Sequence, residues 1–344
     1  MCYFRNCAPV SALAIVASAL SGCIERKEHL TIRPDASILY QVLHKTDSLE
    51  ELYDGDAVPK IAGGWMAEQR EEKDADGKTT YTLVAETAFS PGANLPANYA
   101  LAREADGDLY LQFPTTLKVE QRPDGAYYHF DRIYPARSWA QIEFLQKQLV
   151  QAPLEGLPSD MHDWTPQQRL DVIHALATFE TEKMLVFARS AFLTVTPDAA
   201  QDRWLAVRSE MHDCLAQLDY NSLSHLLEPK DDLLDQQNQG KAIDAETKRF
   251  EQALLDRLNN AMKALAGYDG AQLSAFKHQY QRQKRLYEIT QDLGDDKFEI
   301  TVDMPGEITA SNADSASATT ATWTFSGEML RDRELELMVT SRVK

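Results

Sequence analysis

The period of the apolar residues changes twice along this chain, and that double change limits the fold more than any other feature. From His29 to Tyr134 apolar and polar residues alternate in short runs, between about 137 and 293 the apolar positions recur every three or four residues, and from Phe298 alternation returns. A period of two lines one face of a strand; a period near 3.6 lines one face of a helix. A strand pair alone is marginal in water, so the C-terminal strands need the N-terminal ones. The pattern predicts an α+β fold: an antiparallel β-sheet body built from N- and C-terminal strands (23–136 and 294–344), interrupted by a mostly α-helical insertion at 137–293.

Residues 29–33 and 37–44 read as strands across a Pro34-Asp35 turn, and 65–71 and 79–86 as a hairpin closed by Asp74-Ala75-Asp76-Gly77. Leu109 to Phe113, 117–121 and 126–134 supply further strands. Trp139, Ile142, Leu145 and Leu149 share a helical face that Pro153 and Pro158 should end. Thr165-Pro166-Gln167-Gln168 is a capping box with proline at the first helical position. Thr196-Pro197, Asp244 and Asp269-Gly270-Ala271-Gln272 start later helices, and the polar stretch 229–243 reads as an exposed connection. Phe298, Ile300, Val302 and Met304 form one strand face; 307–310, 322–325 and 335–339 follow as strands, with 311–320 a loop.

The first 22 residues have the layout of an export signal: Arg5, then an apolar run from Ala8 to Leu20, then Ser21 and Gly22 before Cys23. The run has 13 residues, short of the ~20 that span a bilayer core. Leu20-Ser21-Gly22-Cys23 looks like the lipobox of a bacterial lipoprotein precursor, because a thiolate is nucleophilic enough to take a diacylglycerol as a thioether. On that reading residues 1–22 are a lipoprotein signal peptide, Cys23 opens the mature chain, and palmitate-type chains hold it at the membrane. A plain secretory signal cut after Ala17-Ser18-Ala19 is the alternative. Ile24 and Glu25 follow the cysteine, so no Asp stands in the sorting position; in a Gram-negative host this favours the periplasmic face of the outer membrane.

The formal net charge of −18 disfavours nucleic acid as a partner. Of four cysteines, Cys2 and Cys7 leave with the signal and lipid takes Cys23, so Cys214 is left without a disulfide partner and reads as a buried, inert thiol. The eight histidines form no zinc signature, and no nucleophile elbow or phosphate loop is present. Glu210-Met211-His212-Asp213-Cys214 does not place His212 with Glu210 and Cys214 on one helical face. Asp74-Ala75-Asp76-Gly77 opens like a calcium loop but lacks its later ligands, and pairs such as Asp231-Asp232 and Asp295-Asp296 read as solvated surface. Neither catalytic residues, metal nor cofactor is expected.

The cysteine at position 23, the strand pair around Pro34-Asp35, and a tail reading Met304-Pro305-Gly306, Asn312-Ala313-Asp314 and Trp323 together resemble uncharacterised bacterial lipoproteins with an LppM-type domain. In that family a strand ends in Pro-Gly, an Asn-Gly/Ala-Asp hairpin follows, and a Trp begins the next strand. The match covers 23–45 and 297–341. The resemblance implies a lipid-anchored, β-rich envelope domain without agreed catalytic residues. The helical insertion and the end at Lys344, without a C-terminal membrane helix, depart from the pattern.

Tyr128, Phe130, Arg132, Tyr134, Arg137 and Trp139 form the most distinctive interior cluster, at the change from strands to helices. They read either as packing, with the arginines paired to acids, or as the rim of an interface or apolar ligand groove. The function expected is therefore that of a non-enzymatic envelope lipoprotein that binds a protein or lipid-like partner. An envelope hydrolase with dispersed site residues is the alternative.

Overall fold

The computed structural model describes residues 24–344 except 51, 54–55, 76, 105, 138–139, 199–200, 219, 221–226 and 229–232. The chain has the expected mixed α+β architecture, with strands at both ends and helices between. Its described residues divide into two compact units, one helical (within 140–284) and one β-rich (24–137 together with 285–344).

The β-rich unit holds two sheets. The strands are β1 (Glu25–Ile32), β2 (Ile38–Thr46), β3 (Met66–Lys73), β4 (Thr79–Phe89), β5 (Thr115–Arg122), β6 (Gly125–Tyr134), β7 (Lys297–Asp303), β8 (Glu307–Ser311), β9 (Ser315–Ala316), β10 (Thr320–Ser326) and β11 (Leu335–Val343). Seven run in the order β3-β4-β2-β1-β7-β10-β9 and four in the order β5-β6-β11-β8. C-terminal strands thus complete both sheets. Their seams with the N-terminal strands are the antiparallel pair β6–β11 in the smaller sheet and, in the larger, the parallel pair β1–β7, in which Glu25 lies opposite Lys297 and Leu30 opposite Val302. A parallel neighbour needs a long crossover, and the helical insertion is that crossover. The inner faces carry Leu30, Ile32, Phe298, Ile300 and Val302 from one sheet and Phe130, Leu337 and Val339 from the other, joined in one core. Across it Tyr134 meets the rings of Phe298 and Phe325 at 6.3 and 5.3 Å.

Residues 109–113 are not a strand. Their backbone N–H groups are taken by loops instead: Leu109 bonds the Asp106 carbonyl, Leu111 the Asp56 carboxylate and Phe113 the Ala97 carbonyl. The side chains of Leu109, Leu111 and Phe113 alternate into the core all the same, so the period of two was real while the ladder was absent.

In the helical unit, α1 (Ala140–Gln146) runs through a π-helical turn, Lys147–Gln151, into Ala152–Leu154. Pro153 does not end the path, because it sits in the first turn of the last piece, where a missing N–H is tolerated. The capping box starts α2 (Pro166–Val195): Thr165 Oγ1 accepts from Gln168 N–H and Gln168 Oε1 from Thr165 N–H. Thr196 caps the end of α2 rather than opening a helix, and α3 spans Gln201–Ala216. The next helix, α4, runs Leu233–Ala264, so most of the expected polar connection at 229–243 is helical; Gln, Lys and Ala are good helix formers however polar the run. Asp269 and Gln272 cap α5 (Gly270–Gly294). Phe192 stacks on Tyr268 with centroids 6.0 Å apart, and Phe276 and Tyr280 extend the aromatic core. Leu265, expected inward, is exposed.

Candidate functional site

The inner face of β1 is set by Leu30 and Ile32, and stepping back by two reaches Glu28, Arg26 and Ile24, all buried. The same step along β2 joins Ile38, Tyr40 and Val42 to a buried His44. Two charges and an imidazole therefore occupy core positions, on neighbouring strands where Arg26 lies opposite His44. Burying charge is costly unless partners replace the lost water, and the partners come from distant parts of the chain.

Glu28 Oε2 accepts from the guanidinium of Arg132 on β6 and from the Tyr40 hydroxyl, while Oε1 accepts from Tyr99 OH at 2.7 Å. Arg132 also donates to Thr115 Oγ1 (2.8 Å), Tyr40 OH (3.2 Å) and Tyr134 OH (3.4 Å). Its guanidinium lies 5.1 Å from the Phe113 ring centroid and 5.4 Å from that of Tyr40. The pair ties one sheet to the other. Burial drives the Tyr40 and Tyr99 hydroxyls well above their usual range, and Glu28 beside them adds to the rise; both phenols stay neutral donors.

Arg26 makes the second cluster. Its Nε donates to Asp296 Oδ2 at 2.6 Å and its NH1 to Asp56 Oδ2 at 3.2 Å. Ile24 N–H bonds Asp296 Oδ1 at 3.1 Å, and Leu111 N–H bonds Asp56 Oδ1 at 2.8 Å. All six oxygens of these three carboxylates accept bonds from the protein. Burial pushes the Asp296 carboxyl up to about 6, against the opposing pull of Arg26. The two acids of Asp295-Asp296, both expected at the surface, therefore part: Asp295 is exposed and Asp296 is core. His44 is fully buried, and among the described residues neither ring nitrogen has a hydrogen-bond partner. Burial first, and Arg26 second, hold its imidazole well below the usual histidine range.

The interior cluster read from the sequence lies in this core rather than on an open rim. Tyr128, Phe130, Arg132 and Tyr134 are 0–3% exposed, because alternate residues of β6 face the opposing sheet. Tyr128 OH donates to the Pro34 carbonyl at 2.5 Å. Arg137 bonds Thr290 Oγ1 and the Leu109 carbonyl, both at 2.7 Å, rather than an acid. Trp139 lies outside the described residues, as do Leu20, Ser21, Gly22 and Cys23. Sequence reading missed Arg26, Glu28, His44, Asp56 and Asp296. For the first three the signal was available: Arg26 and Glu28 lie between Ile24 and Leu30 on one strand face, and His44 follows Ile38, Tyr40 and Val42 at the same spacing.

Two of the polar groups singled out in the sequence form ion pairs on the helices. His212 meets Glu182 at 2.7 Å, and Glu210 pairs with Arg257. Cys214 is half-buried rather than enclosed. Asp74 closes the β3–β4 hairpin by accepting from Lys78 N–H at 2.8 Å.

The tail motif has a structural reason. Asn312 Oδ1 accepts from Trp323 Nε1 (2.9 Å) and from Met338 N–H (2.8 Å), and its Nδ2 donates to the Glu336 carbonyl (2.8 Å), so one amide joins β10 of one sheet to β11 of the other. Asp314 accepts from Thr324 N–H at 2.7 Å. Gly306 has φ 82°, and a Cβ there would collide with the Arg342 carbonyl.

No family model matches this chain, and no curated protein matches it. Among solved structures, the NMR structure of the folded domain of the Mycobacterium tuberculosis LppM protein aligns over 94% of this chain and 92% of that one, with 9% identity and a TM-score of 0.28. The likeness is weak and concerns fold alone; it carries no function across.

Proposed function

We propose that this chain is an envelope lipoprotein, anchored through a thioether on Cys23, that serves as a non-enzymatic binding or structural protein for a protein or lipid-like partner. The observation that carries the reading is Leu20-Ser21-Gly22-Cys23 at the end of the Ala8 to Leu20 run. Two facts support it. No helix among the described residues is long and apolar enough to cross a membrane, a finding compatible with a lipid-held body. The buried acids spend every carboxylate oxygen on the protein itself, as groups that hold a fold do. Palmitate labelling of cells expressing wild type beside Cys23→Ser tests the anchor: label on the first and none on the second is expected, and label on neither refutes it. A hydrolase screen of the mature chain, with metals added and chelated, tests the non-enzymatic half; turnover abolished by one acid or histidine substitution refutes it.

A further inference from the structure

Two sheet edges among the described strands are long and open. Strand β3 ends the seven-stranded order and β5 the four-stranded one; each has eight residues and a strand neighbour on one side only. The other two ends are short, five residues in β8 and two in β9. An open edge offers unpaired N–H and C=O groups to any extended chain, and charged side chains are its usual guard. On one face of β3 stand Glu68, Arg70 and Glu72, while Ala67 on the other face packs against the core. On one face of β5 stand Lys118, Glu120 and Arg122, while Leu117 on the other packs against the core. All six charged residues are exposed. Their signs run minus-plus-minus on one edge and plus-minus-plus on the other. With Arg70 set beside Glu120, all three cross-strand pairs are opposite in charge, whichever way the two strands run. Either edge centred on a copy of itself instead sets Arg70 against Arg70, or Glu120 against Glu120.

In the single chain these charges meet neighbours on their own strand. Arg70 bonds Glu68 at 3.0 and 3.1 Å, and Arg122 bonds Glu120 at 2.6 Å, with His129 3.7 Å from the same carboxylate. Exposed pairs of this kind contribute little, so they exchange cheaply for opposite charges across a new ladder, which favour strand pairing. We propose that β3 of one copy pairs with β5 of a second, Arg70 beside Glu120, joining the seven-stranded sheet of one chain to the four-stranded sheet of the next. The contact is heterologous and leaves an open edge at each end, so association continues past the dimer. It gives the structural role a partner, a second copy of this chain, and needs no lipid on Cys23.

The test uses the mature chain, residues 23–344, with Cys23→Ser and Cys214→Ser, so that neither lipid nor native thiol takes part. Sedimentation velocity at about 0.1 M salt suits it: a Debye length of ~10 Å damps the net negative charge but not charges on strands ~5 Å apart. The average mass should rise with concentration past that of a dimer. Arg70→Glu alone and Glu120→Arg alone should each weaken association by about tenfold or more. An equimolar mixture of the two should restore it, because reversed β3 then meets reversed β5 and native meets native. Under mild oxidation Arg70→Cys mixed with Glu120→Cys should form a disulfide-linked pair. Arg70→Cys mixed with Lys27→Cys, exposed in the middle of the seven-stranded sheet, should not. A monomer at every concentration, a mass that stops at the dimer, or a mixture no more associated than its components overturns the pairing. Should a charge reversal disturb the fold, the cysteine cross-link decides by itself.

Discussion

Removing one member of the Glu28–Arg132 pair should reveal which charge the core tolerates alone. Glu28→Gln keeps an oxygen for Tyr40 and Tyr99 but leaves a guanidinium with 0% exposure facing two aromatic rings and three hydroxyls. Breaking a buried pair costs about 3–5 kcal/mol, roughly a fifth or more of a typical domain's 5–15 kcal/mol. Arginine has no escape, since it does not lose its proton in proteins. Arg132→Met is different: a carboxylate stripped of its cation in an apolar interior takes up a proton and becomes neutral. Such a group is stable in the fold at low pH and loses that stability as pH rises. Urea unfolding of the mature chain, followed by tryptophan fluorescence, should show Glu28→Gln losing the same 3 kcal/mol or more at pH 5 and pH 8. Arg132→Met should lose less at pH 5 than at pH 8, and the double variant should be more stable than Glu28→Gln alone. A loss under about 1 kcal/mol for Glu28→Gln, the level of a solvated surface pair, or strict additivity of the two changes, refutes the pair as the tie between the sheets.

Three further outcomes are expected. His44→Leu replaces a neutral, unpartnered imidazole whose proton affinity is depressed by burial; wild type loses stability as pH falls below about 6.5, where the unfolded chain binds the proton, so the variant's advantage should grow by up to about 2 kcal/mol between pH 7 and pH 5, and equal urea midpoint shifts at both pH values would sink the argument. Gly327→Ala puts a Cβ into the Leu293 carbonyl and should cost at least about 1–3 kcal/mol as overpacking does, measured by thermal melting beside Gly156→Ala, where a Cβ meets nothing. Asn312→Ala removes three hydrogen bonds between β10, β11 and the connection after β8; about 1–3 kcal/mol should be lost, with faster hydrogen exchange at the Met338 amide, and an unchanged Met338 rate would count against its bridging role.

The alternation of Phe298, Ile300, Val302 and Met304, the capping boxes at Thr165 and Asp269, and the turns at Pro34-Asp35 and Pro305-Gly306 were legible in the chain because each rests on neighbours within a few residues. So was the class of fold, since strand pairs at both ends have no stable existence apart. Helix α4 was misread before Asp244 because polarity was taken for irregularity, and 109–113 was misread because side-chain period does not say what the backbone bonds to. The core charges lay beyond local reading for a different reason. Arg26 depends on Asp56 and Asp296, 30 and 270 residues away, and Glu28 on Arg132, 104 residues away. Whether a charged side chain on a strand faces water or a partner is decided only when both sheets are in place, since the desolvation it suffers and the bonds that offset it come from the same tertiary contacts. The chain alone determined the periods, the caps and the cysteine that reads as an anchor; the assembled sandwich decided that Arg26, Glu28 and His44 are interior, and that the first residue after that cysteine is already part of the fold.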